Sequence, residues 1–467
     1  MRIDWPDLRT QRAARLHGVT IDIEGWIVTD DLSEARNHFA LIGEPSCCIA
    51  CLPRDPLARI EVFASTPIMP DSNGVRLTGR LVCLDDDEMG WRYQLREARL
   101  MPSPVAPGFT RRAALAGGAL FGLSSWAPLA LAADPDAAAI AAARQAMDGA
   151  VTADLHSHAG AVIRMREPNL PFVPLAAPMR EGRMAVVCLA VVSDGPVIGP
   201  TDNNTRIRPN RTPAPGELYS YAQIAFGRLQ QLVREQQLGV ITSAAAMRAA
   251  HPDRPSVLVT SEGGDFLEGR PERVDEAYEK WNLRQIQLTH YRVNELGDIQ
   301  TEPTEHNGLT EAGVAVIRRC NARGVIVDVA HGTTSLVRRA AEVTTKPLIL
   351  SHTSFATSPG RFSRLVSAEH ARLVARTGGV IGIWPPTSIF PDVTAYAAGM
   401  ARMVDAVGID HVGIGSDMMG LLGPSALPSY SRLPAVAAAL MARGFNAADM
   451  RKLVGGNYLR VALANLA

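Results

Sequence analysis

The chain has 467 residues, 47% hydrophobic and 20% charged, and its 47 basic side chains balance 47 acidic ones. At roughly 150 residues per domain that length suggests about three domains, or two if one is an α/β barrel of about 250 residues. Zero formal charge leaves no basic field for nucleic acid, and six cysteines are too few for a disulfide-built scaffold in a chain this long.

Residues 1–103 carry strand-type alternation in Ile60-Glu61-Val62-Phe63, in 75–82 and in Trp91-Arg92-Tyr93-Gln94-Leu95, separated by turn-rich 70–74 and 85–87. This predicts a small, β-rich, antiparallel domain with no role assigned. Cys47, Cys48 and Cys51, with Cys83 and His38, are candidates to clasp a metal, against a competing reading as buried or redox-active thiols. Residues 104–134 break the chain. Arg111-Arg112, the uncharged run Ala113–Ala133 and the small-residue site Ala130-Leu131-Ala132 resemble a twin-arginine export signal. A transmembrane anchor is the alternative, although Gly117, Gly118, Ser124, Ser125 and Pro128 make the run poorly apolar. The expectation is a periplasmic or membrane-anchored protein, with any membrane association through 113–133. A signal placed after a hundred residues is unusual; a start at Met101 would give it an ordinary length.

From 135 to 467 the rhythm changes. Short apolar runs at 151–156, 185–192, 256–261, 284–289, 324–330, 347–351, 378–383 and 411–416 alternate with helix-period stretches such as 217–237, 310–323, 333–343, 367–377 and 392–407. Eight strands alternating with helices predict an α/β fold, a (β/α)8 TIM-like barrel of parallel strands.

Five of the 11 histidines fall at or just after the C-terminal end of a predicted strand: His156, His158, His290, His331 and His352. Barrel enzymes keep their chemistry on that rim. Glu262 and Asp417 follow the third and eighth strands, so carboxylates join the imidazoles. Imidazole with carboxylate and no thiolate suits Zn²⁺ or a similar divalent ion. His156 and His158, at i and i+2, lie on one face of a strand and can share an ion. Glu262 is a candidate bridge between two ions, since none of the three lysines (280, 346, 452) ends a strand. Gly263 and Gly264, without side chains, let the backbone approach such an ion closely. His251, His306 and His370 read as loop or helix-surface residues, and His411 as a residue of the barrel's stability face.

The segments Asp154-Leu155-His156-Ser157-His158, Ser261-Glu262-Gly263-Gly264, Leu288-Thr289-His290, Gly308-Leu309-Thr310, Val327-Asp328-Val329-Ala330-His331, Leu350-Ser351-His352-Thr353-Ser354, 410–417 and 456–461 resemble, in order along 150–462, the membrane or renal dipeptidase family of metallopeptidases. The resemblance implies two Zn²⁺ per barrel. His156 and residue 158 would hold one, His331 and His352 the other, and Glu262 would bridge them. His290 would contact the scissile carbonyl, Asp417 would be the acid/base, and Arg364 would meet the substrate carboxylate, with Arg361 a near alternative. The implied reaction is zinc-dependent hydrolysis of a small-molecule dipeptide by a metal-bridging hydroxide. A different amidohydrolase-type activity, as a deacylase or lactonase on a small carboxylated substrate, is the alternative, and a homodimer is compatible with either. Two departures bear on the site: His158 stands where the family has Asp, and Asp417-Met418-Met419-Gly420 where it has Asp-Phe-Asp-Gly.

Overall fold

The computed structural model describes residues 1–28, 35–43, 55–71, 74–84, 87, 91–101, 135–165, 171–201, 206–357, 359–360, 363–421 and 423–466. The export-like segment 104–134, Cys47, Cys48, Cys51 and Arg361 lie outside the described residues. No helix among the described residues is long and apolar enough to cross a membrane. The chain forms two compact units, one drawn from the first 133 residues and one spanning Asp134–Ala467.

In the first unit β1 (Thr20–Val28), β2 (Arg36–Ile42), β3 (Arg59–Ile68), β4 (Val75–Cys83) and β5 (Tyr93–Leu100) close into a barrel in the order β1-β2-β3-β5-β4. Ile21, Ile23, Leu41, Ile60, Val62, Leu77, Leu81 and Leu95 alternate inward and are fully buried, each worth roughly 1.5–3 kcal/mol of burial. The expected antiparallel domain needs one correction: β3 and β5 pair in parallel. Gly25 sits where a Cβ would come 2.5 Å from the Ile42 carbonyl oxygen, so β1 and β2 approach closely there. His38 Nε2 lies 2.9 Å from Glu61 Oε1, and Cys83 donates to the Ala13 carbonyl. Among the described residues, the groups able to hold a metal are all in the second unit.

The second unit contains β6 (Ala153–Ser157), β7 (Val186–Val192), a β8–β9 hairpin (Ile198–Pro200, Ile207–Pro209), β10 (Gly239–Val240), β11 (Ser256–Glu262), β12 (Leu283–Gln287), β13 (Ile326–Asp328), β14 (Ile349–Thr353), β15 (Val380–Ile383) and β16 (Val412–Ile414). β6, β7 and β11 to β16 are parallel and close into an eight-stranded barrel, with β16 pairing β6 and β7 pairing β11. These are the eight strands expected from the apolar runs. They read as continuous hydrophobic segments because both faces are covered; every residue of Val186–Val191 is buried. The intervening helices carry their own stop signals. Thr310 caps Glu311–Arg323 by accepting the Gly313 N–H, Gly324 ends it in a left-handed conformation, and Val314, Ile317 and Cys320 form its buried stripe.

Candidate metal centre and active site

All seven rim residues singled out above converge at the C-terminal ends of the barrel strands, and Arg364 joins them from the loop after β14. His156 is the penultimate residue of β6 and His158 follows the strand, their rings 5.0 Å apart and nearly perpendicular. Glu262 is the last residue of β11, His352 lies within β14, and His290, His331 and Asp417 each come three residues after β12, β13 and β16. His156, His158, Glu262, His290, His331, His352 and Asp417 are all buried.

Glu262 is the hub. Its Oε1 lies 3.3 Å from His156 Nε2, 3.3 Å from His331 Nε2 and 3.4 Å from His352 Nε2. Its Oε2 lies 3.0 Å from His158 Nε2 and 3.2 Å from His290 Nε2. Asp417 Oδ1 closes the group at 3.5 Å from His158 Nε2. Five imidazoles around one carboxylate exceed what hydrogen bonding alone explains, and His331 and His352 set Nε2 against Nε2 at 3.1 Å. Ligand atoms about 2.0–2.1 Å from a tetrahedral ion lie about 3.4 Å apart, close to the spacing observed. The donor set therefore fits divalent metal, and three subsets have the required proximity: His156 with His158 and Asp417, His156 with Glu262 and His352, and Glu262 with His290 and His331.

The electrostatics agree with this assignment. Burial, the positive Arg364 and neighbouring imidazoles hold His331 and His352 well below the usual imidazole range, leaving them neutral and able to ligate. Burial works against the Glu262 carboxylate, but His290 and His156 outweigh it and keep the group ionised. Burial also disfavours the His290 imidazolium, yet Asp194 and Glu262 push it up to about 9, which makes it a donor at neutral pH. Asp417 is raised, first by burial and then by Glu262, against the pull of His158.

Local structure holds these groups in place. Asp154, fully buried, accepts the Ser416 N–H at 2.9 Å and the Tyr430 hydroxyl at 2.7 Å. The Asp417 N–H bonds the His156 carbonyl at 3.0 Å and the His158 N–H bonds Met418 at 2.9 Å, lacing the eighth strand's end to the first. His158 Nδ1 meets the Ala190 carbonyl at 3.0 Å, which fixes its tautomer and turns Nε2 inward. His331 (φ 66°) and Asp417 (φ 46°) take left-handed backbone conformations that non-glycine residues rarely adopt. A Cβ on Gly420 would come 2.1 Å from Asp417 Oδ1, so the loop folds over Asp417 only because Gly420 has no side chain. Gly263 (φ +85°) lies where a Cβ would come 2.5 Å from Asp265 Oδ2 and 2.7 Å from Ser193 Oγ, so the turn after Glu262 needs a glycine.

Arg364 is 1% exposed, and among the described residues its guanidinium hydrogen-bonds neutral groups only, Gln300 Oε1 at 3.4 Å and the His352 carbonyl at 3.5 Å. Its Nε has no hydrogen-bond partner among the described residues. Gln300 gives its amide hydrogens to the Ser363 and Leu365 carbonyls and its backbone N–H to the His331 carbonyl, tying the arginine loop to the histidine cluster. Of the remaining histidines, His251 and His306 are exposed and His411 precedes β16. His370 departs from its surface reading, being 3% exposed with Nδ1 3.2 Å from the Thr334 hydroxyl. Sequence reasoning also missed Asp194, beyond the end of β7, and Trp384, beyond the end of β15, whose ring centroid lies 5.7 Å from the Arg364 guanidinium carbon. The available signal was the same one that found the histidines, a polar or aromatic side chain directly after a barrel strand.

The family model for membrane dipeptidase, peptidase family M19, matches residues 221–465. The chain belongs to the membrane dipeptidase family. The match takes in Glu262, His290, His331, His352, Arg364 and Asp417; His156, His158 and Asp194 precede it. Dipeptidase aclJ of Aspergillus oryzae is 33% identical over 224 residues, 45% of this chain and 51% of that protein. The chain thus spans about half the length of the curated relatives it matches. In fold it is similar to a metallopeptidase from Rhodobacter sphaeroides liganded with a phosphinate mimic of L-Ala-D-Ala (TM-score 0.59, 20% identity, covering 68% of this chain and 100% of that one). It is also similar to the probable dipeptidase PvdM from Pseudomonas aeruginosa (TM-score 0.58, 19% identity, 70% and 98%).

Proposed function

We propose that the protein hydrolyses dipeptides at a two-zinc centre formed by His156, His158, Glu262, His331 and His352. The observation that carries the proposal is the convergence of these imidazoles on Glu262 beside Arg364, a buried cation that pairs with no carboxylate among the described residues. Burying a guanidinium without a counter-charge is costly, and a substrate's free carboxylate would supply one. Bound divalent ions supply Lewis acidity and an activated water. His290, held protonated, directs Nε2–H toward the region where charge develops on the scissile carbonyl oxygen, a contribution of about 3–4 kcal/mol for one such donor. Asp417 takes a proton from the attacking water and passes it to the leaving amine, a role suited to a carboxylate raised by burial. Family membership and the phosphinate dipeptide mimic held by the Rhodobacter protein support the substrate class.

Purified full-length protein is expected to hold about two Zn²⁺ per chain, to lose hydrolysis on chelation while its circular dichroism is kept, and to cleave dipeptides with free but not blocked carboxyl termini. Full activity in metal-free protein would end the metal reading. A panel in which only N-acyl amino acids or lactones react would replace dipeptides with the deacylase or lactonase alternative.

A further inference from the structure

Six of the eight strand ends carry the groups given a role in the proposed reaction; β7 carries a carboxylate with none. Asp194 follows β7 by two residues and is fully buried. Its Oδ1 lies 2.7 Å from His290 Nδ1, and its Oδ2 accepts the Tyr291 N–H at 3.1 Å. A dry carboxylate needs compensating charge. The nearby guanidinium of Arg292 is committed elsewhere, to Asp265 Oδ1 and Glu295 Oε2, both at 2.9 Å. His290 is thus the group that can answer Asp194. Position is fixed as well as charge. The Ser193 N–H bonds the Glu262 carbonyl at 2.9 Å and the Ser193 hydroxyl bonds the Gly263 carbonyl at 2.8 Å, so the end of β7 is held in register with the end of β11.

We propose that Asp194 is the positioning residue for His290: by binding Nδ1 of the ring and the N–H of the next residue together, it aims Nε2 at the scissile carbonyl. Two contacts, one to the ring and one to its backbone, remove both the rotation and the translation of the imidazole. A donor misplaced by 1 Å loses much of its effect on a reacting oxygen. Asp194 touches neither substrate nor metal and works only through His290. The inference rests on the proposed dipeptidase reaction.

The test is a double-mutant cycle in the full-length, zinc-loaded protein with one dipeptide cleaved by wild type. Asp194→Asn keeps the size and one of the two contacts, and is expected to lower kcat about 10²-fold with KM changed less than about threefold and zinc content unchanged. In a His290→Ala background the same substitution is expected to cost less than about twofold, because the group it positions is gone. Equal losses in both backgrounds would overturn the proposal and make Asp194 a general support of the fold. Should Asp194→Asn fail to fold, Asp194→Glu, which keeps the charge and displaces it, is measured in the same cycle with the same criteria. If wild type cleaves no dipeptide, it is the dipeptidase reading that fails; the Asp194–His290 contact is then read from the far-downfield proton NMR signal of Nδ1–H. That signal is expected in wild type, to be lost in His290→Ala, and to move upfield or vanish in Asp194→Asn, where a neutral amide replaces the carboxylate; an unchanged signal in Asp194→Asn would overturn the proposal.

Discussion

The two halves of the proposed metal centre are built by different means. His331 and His352 come from separate strands, both are held neutral by burial and by Arg364, and both lie within the stretch that matches the family model. His156 and His158 come from one strand end, precede that stretch, and face Asp417 across the barrel's seam. In that half burial opposes the His156 imidazolium, but Glu262 and Asp417 outweigh it and raise His156. One half is a neutral ligand pair beside a cation; the other is an imidazole pair beside a proton carrier. The difference is one of neighbours: the proposed proton carrier, Asp417, lies beside one pair of proposed ligands, and the Arg364 cation acts on the other.

The largest expected effect tests that division. Asp417→Asn removes the carboxylate proposed to carry the proton and leaves the imidazoles and Glu262, so turnover is expected to fall roughly 10²–10⁴-fold with zinc content largely kept. Parallel loss of metal would place Asp417 among the ligands. His158→Asp acts on the same half more gently. It adds a negative charge beside the ion, which is expected to tighten metal binding by on the order of tenfold and to make the activated water less acidic. The acid limb of the pH–rate profile then moves upward, and an unshifted limb would show that His158 is not a ligand. The smallest effect concerns His370, which burial and then Arg364 push down to about 4. A histidine lowered on folding contributes stability that is complete above its unfolded value of about 6.5 and is lost as pH falls toward the folded one, at most about 3 kcal/mol here. His370→Gln is therefore expected to show a smaller drop in Tm between pH 7 and pH 5 than wild type. An equal drop would mean that His370 does not titrate in that window.

The eight strands were legible because burial on both faces leaves uninterrupted apolar runs, and the rim histidines because each follows such a run. Other features depend on partners the local sequence does not name. β1 does alternate, with Ile21, Ile23 and Ile27 inward, but Gly25 interrupts the series where the strand needs a close neighbour. β2 opens polar at Arg36-Asn37-His38 and ends apolar at Ala40-Leu41-Ile42, a pattern with no single period. The parallel pairing of β3 with β5 was hidden because alternation reports which face is buried, never which way a neighbour runs. His370 could have been found, since with Leu373 and Val374 it completes an i, i+3, i+4 stripe on its helix. Asp194 was invisible as a partner of His290 because 96 residues separate two loops that only barrel closure brings together.

The left-handed backbone at His331 and Asp417 sets the site against the scaffold that carries it. Each such residue costs about 1–3 kcal/mol relative to relaxed geometry. Asparagine or glycine at either place would suit the backbone better and would remove a group to which the proposed reaction gives a role. A search for sturdier variants of this barrel would therefore drift first toward inactive ones, since thermal endurance and turnover make opposite demands on the same two positions.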